Sequence, residues 1–326
     1  MNELSHALSP ARPDLQEKEG LLIPRLMPDH DIPAFQFIEG EPGSPVVLSV
    51  PHGGWLYPES LVGDDNLSRC ASLSDTGTAE LGLMLAGGRY PALIACCCRA
   101  VCDLNRPPAA LDPHLCEGAD LPLPAAYKPY VAAGYGVIPR LSAQKQPLYS
   151  QKLGPAHWQG LLAAWHSPYH RRLSDLLRRA AEQQDDILLV DLHSMPDSPK
   201  QAGKSRLLPL RAGQLPDFVF GNLHGATLSQ THVRLIDEVM RQSGYSWRWN
   251  TPYAGGYITR HYGLETDEAE GQTPAQVLQI EVNRGLYSNP AGKVDPDCLV
   301  PVSQLLSQLL AALADKQDQR DQRLGA

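Results

Sequence analysis

Several residues able to do chemistry stand at or near the ends of short apolar runs. Ile187-Leu188-Leu189-Val190-Asp191-Leu192-His193-Ser194-Met195-Pro196 ends in a histidine. Asp191, two residues earlier, falls on the same face of a strand and can orient the imidazole. Pro45-Val46-Val47-Leu48-Ser49-Val50 runs directly into Pro51-His52-Gly53-Gly54, and Asp103-Leu104-Asn105-Arg106 closes the apolar stretch that begins at Ala92. Glu281 interrupts Val277-Leu278-Gln279-Ile280-Glu281-Val282, where an unpaired charge would cost several kcal/mol (roughly) to bury. Neutral imidazoles with a carboxylate can hold zinc, which lowers the pKa of a water to about 7. A further carboxylate can then move the proton, and an Arg with an Asn can grip a substrate carboxylate in fixed geometry. Together these are the groups that zinc-dependent cleavage of an amide beside a carboxylate requires.

Each of these residues also has a plainer reading. His193 can cap a turn with Asp191 solvated, and Arg106 can close its loop through a salt bridge. Asp75, in Ser74-Asp75-Thr76-Gly77-Thr78, can be the N-cap of the helix that follows or a carboxylate ligand. His166 and His170 have the i, i+4 spacing of a chelating pair, but basic residues follow them and surface or packing roles weigh more. His114-Leu115-Cys116-Glu117 imitates the H-x-x-E of zinc peptidases from inside a proline-rich loop and is set aside.

The positioning elements are strands and helices in alternation. Strands are predicted at 45–50, from Ala92 towards Leu104, at 187–192, 217–220, 245–249 and 277–284. Helices are predicted from about Thr78 to Ala86, over 155–184 with Pro168 kinking or splitting it, over 228–241, and from Pro301 to Ala314. Histidines at the carboxyl ends of buried strands are what the rim of an open α/β sheet provides. Residues 107–154, rich in Pro, Gly and Ala, read as a functional loop or lid, and the Gly-, Tyr-, Arg- and His-dense stretch 250–263 as a ligand-contacting loop. The chain is expected to comprise a loose N-terminal extension at 1–35, a single hydrolase domain at 36–316 and a charged tail at 317–326.

With 28 basic and 36 acidic residues the net charge is −8, and no Lys/Arg block is dense enough to follow a phosphate backbone, so nucleic acid is not an expected partner. Seven cysteines, three of them consecutive at 96–98 and none in C-x-x-C spacing, fit reduced buried thiols and a cytoplasmic protein. Met1 to Gly20 lacks the pattern of a secretory signal, and no apolar stretch is read as a membrane span. Oligomeric state is open.

The chain resembles the N-formylglutamate amidohydrolase family over roughly residues 40 to 290. The resemblance rests on Ser49-Val50-Pro51-His52-Gly53-Gly54, Asp75-Thr76, Arg99 with Asp103-Leu104-Asn105-Arg106-Pro107-Pro108, Gly136-Val137-Ile138-Pro139-Arg140, Pro168-Tyr169-His170, Asp191-Leu192-His193-Ser194-Met195-Pro196, Pro216-Asp217-Phe218, Pro252-Tyr253-Ala254-Gly255-Gly256-Tyr257 and Gln279-Ile280-Glu281-Val282-Asn283-Arg284-Gly285-Leu286-Tyr287. That family in turn resembles the zinc carboxypeptidases and aspartoacylases. The wider likeness implies an α/β fold with three α/β/α layers, a mixed, mostly parallel central sheet of zinc-exopeptidase type, and one zinc per chain.

The resemblance implies hydrolysis of an N-acyl acidic amino acid, N-formyl-L-glutamate in the first place, giving glutamate and formate in histidine breakdown. Zinc would be held by His52, His193 and a third ligand. The aspartoacylase pattern puts that ligand three residues after the first His, where this chain has Trp55. Asp75 is preferred because it lies in a matching segment, with Glu59 as the alternative. Glu281 would move the proton and Arg99 would polarise the acyl oxygen. Asn105, Arg106, Arg260 and Tyr257 would bind the substrate. Another deacylase or carboxypeptidase-like peptidase, and a non-catalytic carboxylate binder, are the competing readings.

Overall fold

Strands apolar at nearly every position must be covered on both faces, and here they form the parallel middle of one sheet. The computed structural model describes residues 25–62, 64–197, 215–265, 275–289 and 293–324. Its strands are β1 (Arg25–Met27), β2 (Phe35–Ile38), β3 (Val46–Val50), β4 (Leu56–Pro58), β5 (Ala92–Ala95), β6 (Leu188–Met195), β7 (Phe218–Gly221), β8 (Trp247–Trp249) and β9 (Gln276–Asn283). Its helices are α1 (Asp64–Ala71), α2 (Thr78–Ala86), α3 (Lys128–Ala132), α4 (Pro155–Leu161), α5 (Ser167–Ala181), α6 (Gln230–Ser243), α7 (Tyr257–Leu264) and α8 (Pro296–Leu324).

Seven strands pair in the order β2-β5-β3-β6-β9-β7-β8, and β1 pairs separately with β4. The four at the centre, β5, β3, β6 and β9, are mutually parallel, while β2 and β7 join them antiparallel. The fold is therefore α/β with a mixed, mostly parallel central sheet. All of β3, β5, β6 and β7 is buried. Successive residues of a strand face opposite ways. On β3, Ser49 meets the Tyr169 hydroxyl of α5 at 3.0 Å, while Val50 lies under Gly82 of α2, so helices cover both faces.

This arrangement places the chemistry. Parallel strands end on a common edge, which here receives His52 from the turn after β3, His193 from β6 and Glu281 from β9. The register puts Ser49 opposite Asp191, Asp191 opposite Gln279 and His193 opposite Glu281. The polar residues of the three strands thus form a connected patch at one end of an otherwise apolar core.

Several elements differ from the sequence reading. β5 stops at Ala95 instead of continuing towards Leu104. Arg99 bonds Asp103 four residues on, while Asp103 also meets His52 and Asn105 meets Ile258. An extended strand would hold residues 99 and 103 about 13 Å apart and cannot make the first of these contacts. The helix predicted over 155–184 is divided just ahead of Pro168, in keeping with the predicted kink or split. A π-turn over Leu162–His166 joins α4 to α5, and Pro168 sits in the first turn of α5, where its missing N–H costs little. Within 250–263 the structure forms α7, with Ile258, Thr259 and Tyr262 buried; the glycines ahead of it concealed that short apolar face.

β1 lies inside the stretch read as a loose extension, paired with β4, while residues 1–24 and 198–214 are outside the described residues. α8 begins before the predicted Pro301 and continues through the stretch expected to be a tail. Its Pro296–Asp315 part is long and apolar enough to cross a membrane, contrary to the sequence reading, yet half of that part is buried inside the structure. Leu306, Leu309, Leu310 and Leu313 are fully buried core residues. The seven cysteines are all free thiols, and those at 96–98 follow β5 instead of lying within it.

The turn after His52 is held by close backbone approach. A Cβ on Gly54 would lie 2.0 Å from the Cys97 carbonyl oxygen, and backbone cannot give way as a flexible side chain can. Gly54→Ala is expected to lower unfolding stability by at least about 2 kcal/mol in urea denaturation, the scale of a core overpacking defect.

Candidate active site

The two histidines arrive from neighbouring parallel strands with their rings 4.7 Å apart between centroids. Each is gripped at Nε2 by its own buried carboxylate. His52 Nε2 is 2.7 Å from Asp103 Oδ1, and His193 Nε2 is 3.0 Å from Asp191 Oδ2. An ionised carboxylate only accepts, so Nε2 carries the hydrogen in both rings and Nδ1 of both turns toward the same volume. Asp75 meets them there, with Oδ2 at 3.0 Å from His193 Nδ1 and 3.5 Å from His52 Nδ1. His52 Nδ1 is buried and has no hydrogen-bond partner among the described residues.

Those three side chains could hold a metal ion, their ligand atoms lying within 4.8 Å of one another. An orphaned imidazole nitrogen at low dielectric is costly in a purely structural site and natural in a ligand. The far-side carboxylates supply the support that metal-binding histidines usually have.

Asp75 comes from the turn before α2. Gly77, with φ of 89°, is the N-cap of that helix, and no side chain caps it. A side chain at Gly77 would be strained by that φ and would also strike the Tyr287 ring at 2.4 Å. The N-cap reading of Asp75 therefore fails: its carboxylate accepts from the backbone N–H of Ser194 at 3.2 Å and points at the imidazoles. Glu59, the competing third ligand, is exposed and lies outside this cluster. Trp55 is part of the core.

The electrostatics are those of tightly coupled buried charges. Burial would raise the Asp75 carboxyl, but hydrogen bonding from His193 and the nearness of His52 hold it well below the usual carboxylate range. Burial also opposes ionisation of Asp103, and Arg99, His52 and Arg106 outweigh it. His193 is raised well above an ordinary imidazole, because Asp191 and Asp75 overcome its burial. A proton held in this way is one that metal binding releases. Glu281 behaves oppositely: burial pushes its carboxyl up to about 8 despite the charges of His193 and Arg99.

Around this centre the remaining residues take distinct places. Arg99 Nε donates to Asp103 Oδ2 at 3.0 Å, and its Nη1 lies 3.7 Å from Asp75 Oδ1. Asn105 is buried beside His193, its Nδ2 3.0 Å from His193 Nε2. Its Nδ2 is 3.3 Å from Asp191 Oδ2, and its Oδ1 accepts from the N–H of Ile258 at 2.8 Å. These contacts make it a brace between β6 and α7. Arg106 is buried, donates to the Asn105 and Tyr135 carbonyls and lies 4.2 Å from the Tyr130 ring. Among the described residues no carboxylate pairs with it, so the loop-closing salt bridge is not formed. Tyr257 and Arg260 share α7, the Tyr257 ring lying 6.4 Å from that of Tyr127, whose hydroxyl feels the charges of Arg260 and Arg106.

His166 and His170 do not chelate; each bonds a backbone carbonyl. His114 and Glu117 are both exposed. Two further residues had no part in the sequence reading. Asp103 was named only as part of longer segments and given no role, although an acid between Cys102 and Leu104 signals a buried partner. Gln279 donates to Glu281 Oε1 at 2.9 Å, and its signal was a second polar residue two places along the same strand.

Comparison with known proteins places this geometry in context. The profile of the N-formylglutamate amidohydrolase family matches residues 44–288. An N-formylglutamate deformylase of Pseudomonas putida is 30% identical over 297 residues, covering 86% of this chain and 96% of that protein. One from Pseudomonas aeruginosa is 29% identical, covering 74% of this chain and 82% of its own length. Among solved structures, an N-formylglutamate amidohydrolase from Ralstonia eutropha JMP134 superposes with a TM-score of 0.74 at 27% identity, covering 87% of this chain and 98% of that one.

Proposed function

We propose a function from one established premise: this chain belongs to the N-formylglutamate amidohydrolase family, and is a hydrolase of amide C–N bonds. The reading is zinc-dependent hydrolysis of an N-acyl acidic amino acid, N-formyl-L-glutamate giving L-glutamate and formate, on a zinc-exopeptidase-like three-layer scaffold. The observation that carries the metal is the buried, unbonded His52 Nδ1 facing His193 Nδ1 and the Asp75 carboxylate. Zinc on His52, Asp75 and His193 would supply a Lewis acid and an acidified water.

The chain's own residues do the rest. Glu281 stands opposite His193 in the sheet register, and burial has raised its carboxyl toward neutrality. In its ionised form a carboxyl so tuned can accept a proton from the attacking water and return it to the departing amine. Gln279 holds one of its oxygens and so fixes its orientation. Arg99, part-exposed beside Asp75, stabilises negative charge that develops on the acyl oxygen. Arg106, buried without a carboxylate of its own, binds the substrate's α-carboxylate, and Arg260 on α7 takes the side-chain carboxylate, with Tyr257 as a wall. Asn105 acts through His193 and α7, so its role is positioning.

Three measurements test this. Purified protein is expected to carry about one zinc per chain and to release formate from N-formyl-L-glutamate, with turnover abolished by a chelator and restored by zinc; formate release unaffected by chelation would remove the metal from the reading. Asp75→Ala is expected to lose zinc by metal analysis, well beyond the stability change of about 1 kcal/mol that removing a helix cap gives. Glu281→Gln is expected to keep zinc and lower kcat by about two to four orders of magnitude. Near-normal turnover in that variant would assign the proton transfer elsewhere.

A further inference from the structure

Two histidines beside the site have no part in the chemistry above. His166 ends the π-turn and His170 follows four residues later in α5. His166 Nε2 is 2.9 Å from the Arg106 carbonyl oxygen, and His170 Nε2 is 2.9 Å from that of Leu104. A carbonyl only accepts, so both rings are committed to the Nε2–H form. The Tyr262 hydroxyl lies 3.0 Å from His170 Nδ1 and 3.2 Å from the His170 carbonyl oxygen, to which it can donate. The rings lie 4.3 Å apart, and burial lowers both below the ordinary imidazole range, so they stand together as neutral donors.

The two carbonyls they hold flank Asn105. Its side chain ties Asp191 to the first turn of α7, and its own carbonyl receives Nη1 of Arg106 at 2.9 Å. The backbone of 104–106 is therefore fastened on one side by the imidazole pair and on the other by Asn105 itself. A short segment clamped at the carbonyls on either side of Asn105 has little freedom to rotate its peptide planes, and the guanidinium of Arg106 departs from that segment. The π-turn has a consequence here: a wider turn changes the phase of the helix, and His166 closes that turn.

We propose that His166 and His170 are positioning residues for substrate binding, holding the Leu104 and Arg106 carbonyls so that Arg106 presents its guanidinium to the substrate carboxylate in a fixed direction. This rests on the reading that Arg106 binds that carboxylate. The competing account is that the imidazoles only satisfy two buried acceptors and so stabilise the fold.

The test compares His166→Leu and His170→Leu, which remove the donor, with His166→Gln and His170→Gln, whose amide can still donate. Each is measured in the zinc-loaded full chain for KM and kcat with N-formyl-L-glutamate, for L-glutamate affinity by calorimetry, and for melting temperature. The Leu variants are expected to raise KM and weaken L-glutamate at least tenfold, with kcat changed less than threefold and zinc retained. The Gln variants are expected to recover to within threefold of wild type. Leu variants that lose melting temperature but keep KM and L-glutamate affinity would overturn the proposal, as would Gln variants no better than Leu. Should a Leu variant not fold, Tyr262→Phe removes the hydroxyl that touches both His170 Nδ1 and the His170 carbonyl and is expected to raise KM at least threefold; an unchanged KM there would also overturn it. Wild-type protein inert toward N-formyl-L-glutamate would refute the proposed substrate, while the loss of L-glutamate affinity in the Leu variants would still uphold the pair.

Discussion

The constraint on which the site depends is the pairing of each imidazole with a buried carboxylate through Nε2. Asp103 fixes His52 and Asp191 fixes His193. Without these pairs either ring could turn or change tautomer, and the two Nδ1 atoms would no longer converge on Asp75. A carboxylate buried in this way is stable only while its partner remains, because removing one member of such a pair leaves an uncompensated charge worth about 3–5 kcal/mol. The geometry is therefore maintained by the same energetics that make the interior polar groups expensive.

The sheet is what brings the pairs together. Asp191 and His193 share one face of β6 by strand alternation, and β3 delivers Ser49 beside Asp191 and His52 just past its end. Register with β9 then sets Gln279 and Glu281 alongside. Since a slip of one residue turns every side chain to the other face, the apolar packing of the four parallel strands fixes the polar constellation as firmly as it fixes the core. Loops contribute what strands cannot: the turn before α2 supplies Asp75, and the irregular chain after β5 supplies Arg99, Asp103, Asn105 and Arg106.

The differing states of Asp75, Asp103 and Glu281 follow from their neighbours. Asp75, Asp103 and Asp191 each touch an imidazole, and for Asp75 and Asp103 the surrounding cationic groups outweigh burial. Glu281 hydrogen-bonds only an uncharged amide among its close contacts, and burial prevails. Carboxyl groups driven in opposite directions within one small volume are what a division between ligand and proton carrier requires.

Much of this was legible in the sequence. Buried strands identify themselves by uninterrupted apolar runs, so β3, β6 and β9 were readable, and so were the residues that break the pattern at or beyond their ends, His52, His193 and Glu281. The motif order identified the family, because matching segments spread through the chain carry more information than any one of them. What required the tertiary structure was whatever depends on contact between distant segments. Asp75 had two local readings, helix N-cap and metal ligand, and its contact with His193, 118 residues away, together with the Gly77 N-cap separates them. Asn105 and Arg106 are adjacent in sequence, yet the fold turns one amide inward as a brace and leaves the other side chain without a carboxylate. The short α7, the end of β5 at Ala95 and the π-turn that accommodates Pro168 were likewise settled by partners elsewhere in the chain. Local pattern determines which residues must be buried, and the packing of the whole chain determines what each buried polar group meets.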